Sequence, residues 1–331
     1  MSSANLLEAH DLAVHYPVSG GLLRRRRWLR AVDGVSLSLA AGETLGVVGE
    51  SGCGKSTLGR ALLGLTPIHA GTVALQGVDL TALSRRQLRA HRRHAQMVFQ
   101  DPLASLDPRM TVSQILAEPV RIHEPAMTRL AVRARALALL ERVGLAPDAM
   151  DGYPHEFSGG QCQRIGIARA LMLRPGLLVC DEPVSALDVS IQGQIVNLLQ
   201  DLQAEQGLGL VFIAHDLAVV RHISHRIQVM YLGQTVEAGP ADAVFQAPWH
   251  PYTRGLLDAI PEPQVSTRRE PTVLGEMPSP LDPPSGCAFH PRCPRAQARC
   301  EGETPALRTL SPERAVRCHF PLASPPAPPA E

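Results

Sequence analysis

The nine residues Gly49-Glu50-Ser51-Gly52-Cys53-Gly54-Lys55-Ser56-Thr57 constrain this chain more than any other stretch. They follow the apolar run Thr44-Leu45-Gly46-Val47-Val48 and precede the helix-like Leu58 to Leu65. The motif therefore falls where a strand turns into a helix, the setting a phosphate-binding loop requires. Gly49, Gly52 and Gly54 let the backbone bend with its N–H groups inward, and the following helix presents a partly positive N-terminus, so together they cradle a polyphosphate. Lys55 reaches the outer phosphates, and the Ser56 hydroxyl is placed for Mg²⁺. With ordinary residue frequencies such a match arises by chance roughly once in a hundred chains of this length, which leaves a plain glycine turn as a poor alternative.

At 331 residues the chain is long enough for about two domains. Its net charge of +1 gives no general reason to expect nucleic acid. No apolar run approaches the ~18 residues of a membrane span, and Met1-Ser2-Ser3-Ala4-Asn5 lacks the basic start and apolar core of a signal peptide. A cytoplasmic protein that does not itself cross a membrane is expected. Of seven cysteines, Cys53, Cys162 and Cys180 are scattered, whereas Cys287, Cys293, Cys300 and Cys318 crowd the last quarter. In a reducing compartment that crowding suggests a metal more than disulfides.

Residues 6–16 and Val32 to Leu39 alternate well enough to be strands, joined through Gly20-Gly21-Leu22-Leu23 and the basic run Arg24 to Arg27, which reads as a solvated hairpin connection or a contact for anionic lipid or a partner. Tyr16 closes the first strand and is a candidate to lie against a nucleotide base, packing being the plainer alternative. Thr72-Val73-Ala74-Leu75 and Ala95 to Phe99 are short strands, the second ending at Gln100-Asp101-Pro102. From about 101 to 174 the periodicity is helical, and this insert ends in Phe157-Ser158-Gly159-Gly160-Gln161, where Ser158 is a good N-cap for a helix from Cys162 to Leu173. Leu177 to Cys180 reads as a buried strand that delivers Asp181 and Glu182, residue types suited to a metal-linked acid and a carboxylate that positions water. Ser185-Ala186-Leu187-Asp188, a helix Ile191 to Gln203 and a last core strand Leu208 to Ala214 follow, the strand bringing His215 beyond the same edge as Asp181, toward a γ-phosphate. After strands Ile227 to Tyr231 and Gln234 to Glu237, residues 261–286 read as a linker and 321–331 as a disordered tail.

In this order the phosphate loop, Gln100, Phe-Ser-Gly-Gly-Gln, Asp181-Glu182, Ser-Ala-Leu-Asp and His215 make the chain resemble an ATP-binding-cassette subunit of a membrane transporter over residues 5–260. Asp-Glu-Pro-Val-Ser-Ala-Leu-Asp-Val-Ser, His250-Pro251-Tyr252-Thr253 and Pro278-Ser279-Pro280-Leu281 are similar to the bacterial dipeptide/oligopeptide permease ATPases, particularly the dipeptide-type second subunit. The resemblance implies an α/β fold: a phosphate-loop NTPase cassette with a RecA-like core, an antiparallel β subdomain and a helical subdomain, plus a small Cys-rich C-terminal extension at 261–320. It implies an ATPase that drives uptake of dipeptides or oligopeptides at the cytoplasmic face of the inner membrane. Its partners would be a second, related cassette subunit, two transmembrane permease subunits and a solute-binding protein, with no nucleic acid.

Carried over motif by motif, Tyr16 meets the base. Gly49, Ser51, Gly52, Cys53, Gly54, Lys55, Ser56 and Thr57 hold ATP, while Ser56, Gln100 and Asp181 serve Mg²⁺. Glu182 polarises water, His215 senses the γ-phosphate, and Ser158, Gly159, Gly160 and Gln161 act on the partner cassette's nucleotide, with Asp188 linking the two sites. Phosphoryl transfer needs mainly positioning and charge neutralisation, which suits residues on strand ends and helix starts. Cys162 stands where that branch usually has Arg, and reads as a helix-surface residue or as a thiol of lowered pKa near a helix N-terminus. A soluble cassette protein acting on DNA or ribosomes fits less well, because the chain has one cassette and no sustained heptads.

The four late cysteines suit one [4Fe–4S] cluster: their gaps of five, six and seventeen residues include no close pair of the kind structural zinc prefers. Pro283, Pro284, Gly286, Pro291 and Pro294 build no core, so a metal would supply stability. The resemblance implies the same cluster. Zn²⁺, with His290 or His319 replacing a cysteine, and free thiols are the alternatives.

Overall fold

The computed structural model describes residues 5–18, 27–185, 187–260 and 275–322. Arg24 to Arg26, Ala186, most of the expected linker (261–274) and the last nine residues of the tail (323–331) lie outside these. The chain divides into two compact units, one of Met1–Leu7, Ser38–Thr44 and Ala74–Ile213, the other of Glu8–Leu37, Leu45–Val73 and Ala214–Glu331.

In the first unit the strands Ala95–Val98, Leu177–Asp181 and Gly209–Ile213 lie parallel, with Leu177–Asp181 in the middle and Val98 opposite Cys180, Asp181 opposite Ile213. Every residue of the latter two strands is buried. A parallel sheet covered on both faces demands such runs, which is why they read as continuous apolar segments rather than as alternation. The helical insert is realised as Val112–His123, Arg129–Arg142 and Gly159–Leu171. Thr111 and Ser158 open the first and third of these with reciprocal capping boxes, closed by Gln114 and Gln161. The helix Val189–Gln206 then returns the chain to Gly209–Ile213.

Arg27–Leu39, Leu7–Val18 and Ala70–Leu75, most of whose residues belong to the second unit, lie side by side in that order. In a second sheet Thr44–Val48 pairs parallel with Arg226–Tyr231. Gln234–Pro240 adds antiparallel to Arg226–Tyr231, and Arg314–Val316 and then Arg308–Ser311 continue outward, both antiparallel. These last two strands come from the cysteine-rich region, where no strand is expected from pattern. Arg308–Ser311 has no buried residue, so it carries no apolar alternation to detect.

Charge holds that addition in place. Glu237 is fully buried and accepts the N–H groups of Trp249 (2.8 Å) and His250 (2.9 Å) and the Arg314 guanidinium (2.8 Å). The same guanidinium lies 3.9 Å over the Trp249 ring and donates to the Ala247 carbonyl. Beside it Tyr231, Tyr252, His250 and Phe289 form an aromatic cluster with ring centroids 4.8–5.6 Å apart. Phe289 belongs to the extension, so the region that looked coreless is packed on the cassette's own aromatics.

Within that cluster His250 accepts the Tyr252 N–H at Nδ1 (3.0 Å), and burial pushes its pKa down to about 3. The unfolded chain takes up that proton first. Stability is therefore full above about pH 6.5 and is expected to fall by about 1.4 kcal/mol per unit as pH drops from there toward 3. Denaturant midpoints between pH 7 and pH 5 measure this slope, and a slope that His250→Gln leaves unaltered would count against it.

Candidate active site

The second unit carries Gly49 to Thr57, the candidate phosphate loop. Gly54 opens the helix Lys55–Leu62 at φ 108°, where a Cβ would lie 2.0 Å from the Ala31 carbonyl oxygen, so only glycine fits. Lys55 is buried and bends back over its own loop, Nζ donating to the carbonyls of Gly49 (2.7 Å) and Glu50 (3.0 Å). Ser51 and Gly52 are exposed, while Cys53 is buried and its thiol pKa is raised by that burial. Ser56 and Thr57 follow in the helix's first turn. Tyr16 is half-buried and its hydroxyl meets that of Thr66 at 3.0 Å, and His215 is exposed.

The first unit carries the acids. Asp181 ends its strand buried, and Glu182 follows at φ 46°, a left-handed conformation uncommon for a non-glycine residue and concentrated at functional positions. The Glu182 N–H donates to the Ile213 carbonyl, Ser185 bonds back to the Glu182 carbonyl, and the Glu182 carboxylate accepts Gln100 Nε2 at 3.1 Å. The parallel register that sets Val98 opposite Cys180 is what brings these two strand ends together.

The second group in this unit is the start of Gly159–Leu171. A Cβ at Gly160 would stand 2.7 Å from Ile191 Cγ2, and one at Gly159 3.7 Å from Leu187, so this helix start lies against the loop that carries Asp188. Ser158, Gly159, Gln161 and Asp188 are exposed. Cys162 is neither a surface residue nor an activated thiol. It is buried, its Sγ donates to the Pro154 carbonyl at 3.3 Å, and burial raises its pKa.

Comparison with known proteins shows the family. The ABC transporter family profile matches residues 32–185, and that of the oligopeptide/dipeptide transporter C-terminal region matches 236–300. The oligopeptide transport ATP-binding protein OppF of Escherichia coli (strain K12) is 56% identical over 312 residues, covering 91% of this chain and 92% of that protein. This chain belongs to the oligopeptide and dipeptide branch of the ABC transporter ATP-binding family. The di/tripeptide transport ATP-binding protein DppF of Pseudomonas aeruginosa (strain UCBPP-PA14), 50% identical over 315 residues, covers 95% of this chain and 97% of its own length. Among solved structures, the dimeric post-hydrolysis state of the ATP-binding cassette MJ0796 bound to ADP and Pi is 28% identical, with a TM-score of 0.64 over 71% of this chain and 98% of that one. The fold is accordingly the ABC cassette, and the family's ATPase chemistry uses ATP and Mg²⁺. Serine hydroxyls, amide oxygens and carboxylates are hard oxygen donors of the kind that Mg²⁺ favours.

The cysteines do not make the expected cluster in this ABC subunit. Cys287, Cys293, Cys300 and Cys318 converge, with His290 and His319, on one cavity, but it measures about 10 Å³, room for a single water. Among the described residues no group of three or more His, Cys, Asp or Glu is placed to hold a metal ion, which overturns the [4Fe–4S] cluster and the Zn²⁺ alternative alike. The four are free thiols. Burial raises the pKa of Cys287 and Cys293 and pushes Cys318 up to about 11, which disfavours the thiolates a metal would need. What replaces the metal as a source of order is the packing of Phe289 and the strands Arg308–Ser311 and Arg314–Val316.

Sequence reasoning passed over three residues of this site. Tyr252 bonds the Glu50 N–H through its hydroxyl (2.9 Å), Arg292 forms an ion pair with Glu50 (2.9 Å), and Thr66 meets Tyr16. Tyr252 sits in a motif that marks the family, which flagged the position without its task. Arg292 lies 242 residues from its partner, a separation that no local pattern spans.

Proposed function

We propose that this chain is the ATP-hydrolysing subunit of an importer for dipeptides or oligopeptides. It works at the cytoplasmic face of the membrane with a second, related cassette subunit, two permease subunits and a solute-binding protein. The observation that carries this reading is the identity of 50–56% to oligopeptide and di/tripeptide transport ATP-binding proteins over at least 91% of this chain. Among the described residues no helix is long and apolar enough to cross a membrane, so the reading leaves the crossing to partner chains.

In this reading the loop from Gly49 to Thr57 binds the phosphates, Ser56, Gln100 and Asp181 serve Mg²⁺, Glu182 orients the attacking water and His215 meets the γ-phosphate. Tyr16 takes the base. Ser158 to Gln161 and Asp188 complete the partner cassette's site, and the dimeric state of MJ0796 supports that arrangement.

The test is reconstitution. The isolated chain is expected to hydrolyse ATP slowly, and co-assembly with its cassette partner and permeases is expected to raise turnover about tenfold or more, with a further rise when peptide-loaded binding protein is added. Full activity from dilute monomer would remove the shared-site reading, and a permease-bound complex indifferent to peptides would remove the substrate class.

A further inference from the structure

We propose that Arg292, in the C-terminal extension, is a positioning residue for nucleotide binding: it neutralises Glu50 and, with Tyr252, fixes the second residue of the phosphate loop so that the site accepts a polyanion. The proposal rests on the reading that Gly49 to Thr57 holds the phosphates of ATP.

Glu50 is the loop's only acid. A carboxylate there repels an incoming triphosphate unless it is paired and turned aside. Arg292 Nη1 meets Glu50 Oε2 at 2.9 Å, with side-chain exposures of only 9% and 29%, so the pair is poorly screened. The guanidinium is itself held, 5.8 Å from the centre of the Tyr231 ring, and that ring packs edge-on against both Tyr252 and Phe289. Glu50 is gripped at its backbone as well. Its N–H donates to the Tyr252 hydroxyl, and its carbonyl accepts Lys55 Nζ and, at 3.3 Å, the Cys53 N–H. A second residue of the extension, Met277, comes within 3.7 Å of where a Cβ on Gly52 would be. The loop's conformation and net charge are thus set in part by residues more than 200 positions away. A purely structural tether would need only the apolar contact with Tyr231, whereas this one delivers its charge to the single acid of the loop.

Titration of the purified full-length chain with Mg-ATP, Mg-ADP and AMP tests the idea. Arg292→Gln is expected to weaken Mg-ATP about tenfold, Mg-ADP less and AMP least, since the penalty scales with ligand charge. Arg292→Lys, which keeps the cation, is expected to stay within about threefold of the parent, and Glu50→Gln/Arg292→Gln to recover to the same range because the unpaired acid is gone. Parent affinity in Arg292→Gln, or a loss that the double variant does not relieve, overturns the proposal. Should Arg292→Gln fail to fold, Tyr252→Phe removes one hydroxyl and keeps the ring. An expected loss of about threefold for Mg-ATP with AMP unchanged supports the grip on Glu50, and unchanged Mg-ATP affinity overturns it. Lys55→Ala separates the two readings, for parent-like ATP binding in that variant would refute the phosphate loop itself and not Arg292.

Discussion

Glu182→Gln is expected to bind Mg-ATP as the parent does, to favour the closed pair of cassettes, and to turn ATP over about a hundredfold more slowly or worse. Three observations lead there. Glu182 directly follows a buried strand end, so its position is set by the sheet and not by a free loop. Its backbone occupies φ 46°, held by the Ile213 carbonyl and by Ser185, strain that the surrounding structure must sustain. Its carboxylate already accepts Gln100 Nε2, which shows an oxygen aimed toward a neighbouring strand end. Glutamine preserves the shape but removes the charge to which the proposed function gives the orienting and polarising of water. Rapid mixing in the assembled transporter, with bound nucleotide counted after filtration, measures both halves of the expectation. Undiminished turnover would reject the role.

Arg314→Met is expected to cost about 3–5 kcal/mol of folding stability, the larger part of it from stranding the Glu237 carboxylate. Glu237 has no exposed surface, and its other two partners are backbone N–H groups that cannot neutralise it. Methionine keeps much of the volume and the contact with Trp249, so the loss reports the charge more than a cavity. The double variant Glu237→Gln/Arg314→Met is expected to regain about half, since the buried ion is then absent from both states. Urea unfolding followed by tryptophan fluorescence reads this, because Trp249 lies under the guanidinium. Equal destabilisation in the single and double variants would mean that packing carries the effect.

How much of the molecule was legible in the sequence depended on how local its causes were. The core strands Leu177–Asp181 and Gly209–Ile213 were readable because sheets covered on both faces require unbroken apolar runs. The capped starts of Val112–His123 and Gly159–Leu171 sit near helical segments that apolar spacing indicated, and Ser158 with Gln161 is a cap that can be read from four residues. The extension was not readable in this way. Its proline-rich stretch reads as structureless, yet the extension buries Phe289 and Val316. The cysteine spacing pointed to a cluster, but spacing along a chain does not say how much room the side chains leave between them. Likewise a cysteine at a helix start suggested an exposed or activated thiol, whereas burial of Cys162 was decided by the segment around Pro154.

By itself, then, the sequence determined the glycine-rich loop between strand and helix, the acids at a strand end, the capped helix start and the cassette they belong to, because each rests on contacts within a few residues and on backbone conformations that few residue types allow. Only the tertiary structure decided that the last fifth of the chain adds two strands beside Gln234–Pro240, that Glu237 is satisfied by Arg314, and that Arg292 and Tyr252 hold Glu50. These depend on strand register and on charges meeting across long separations, where the free energy comes from desolvated partners finding each other and leaves no periodic trace in the order of residues.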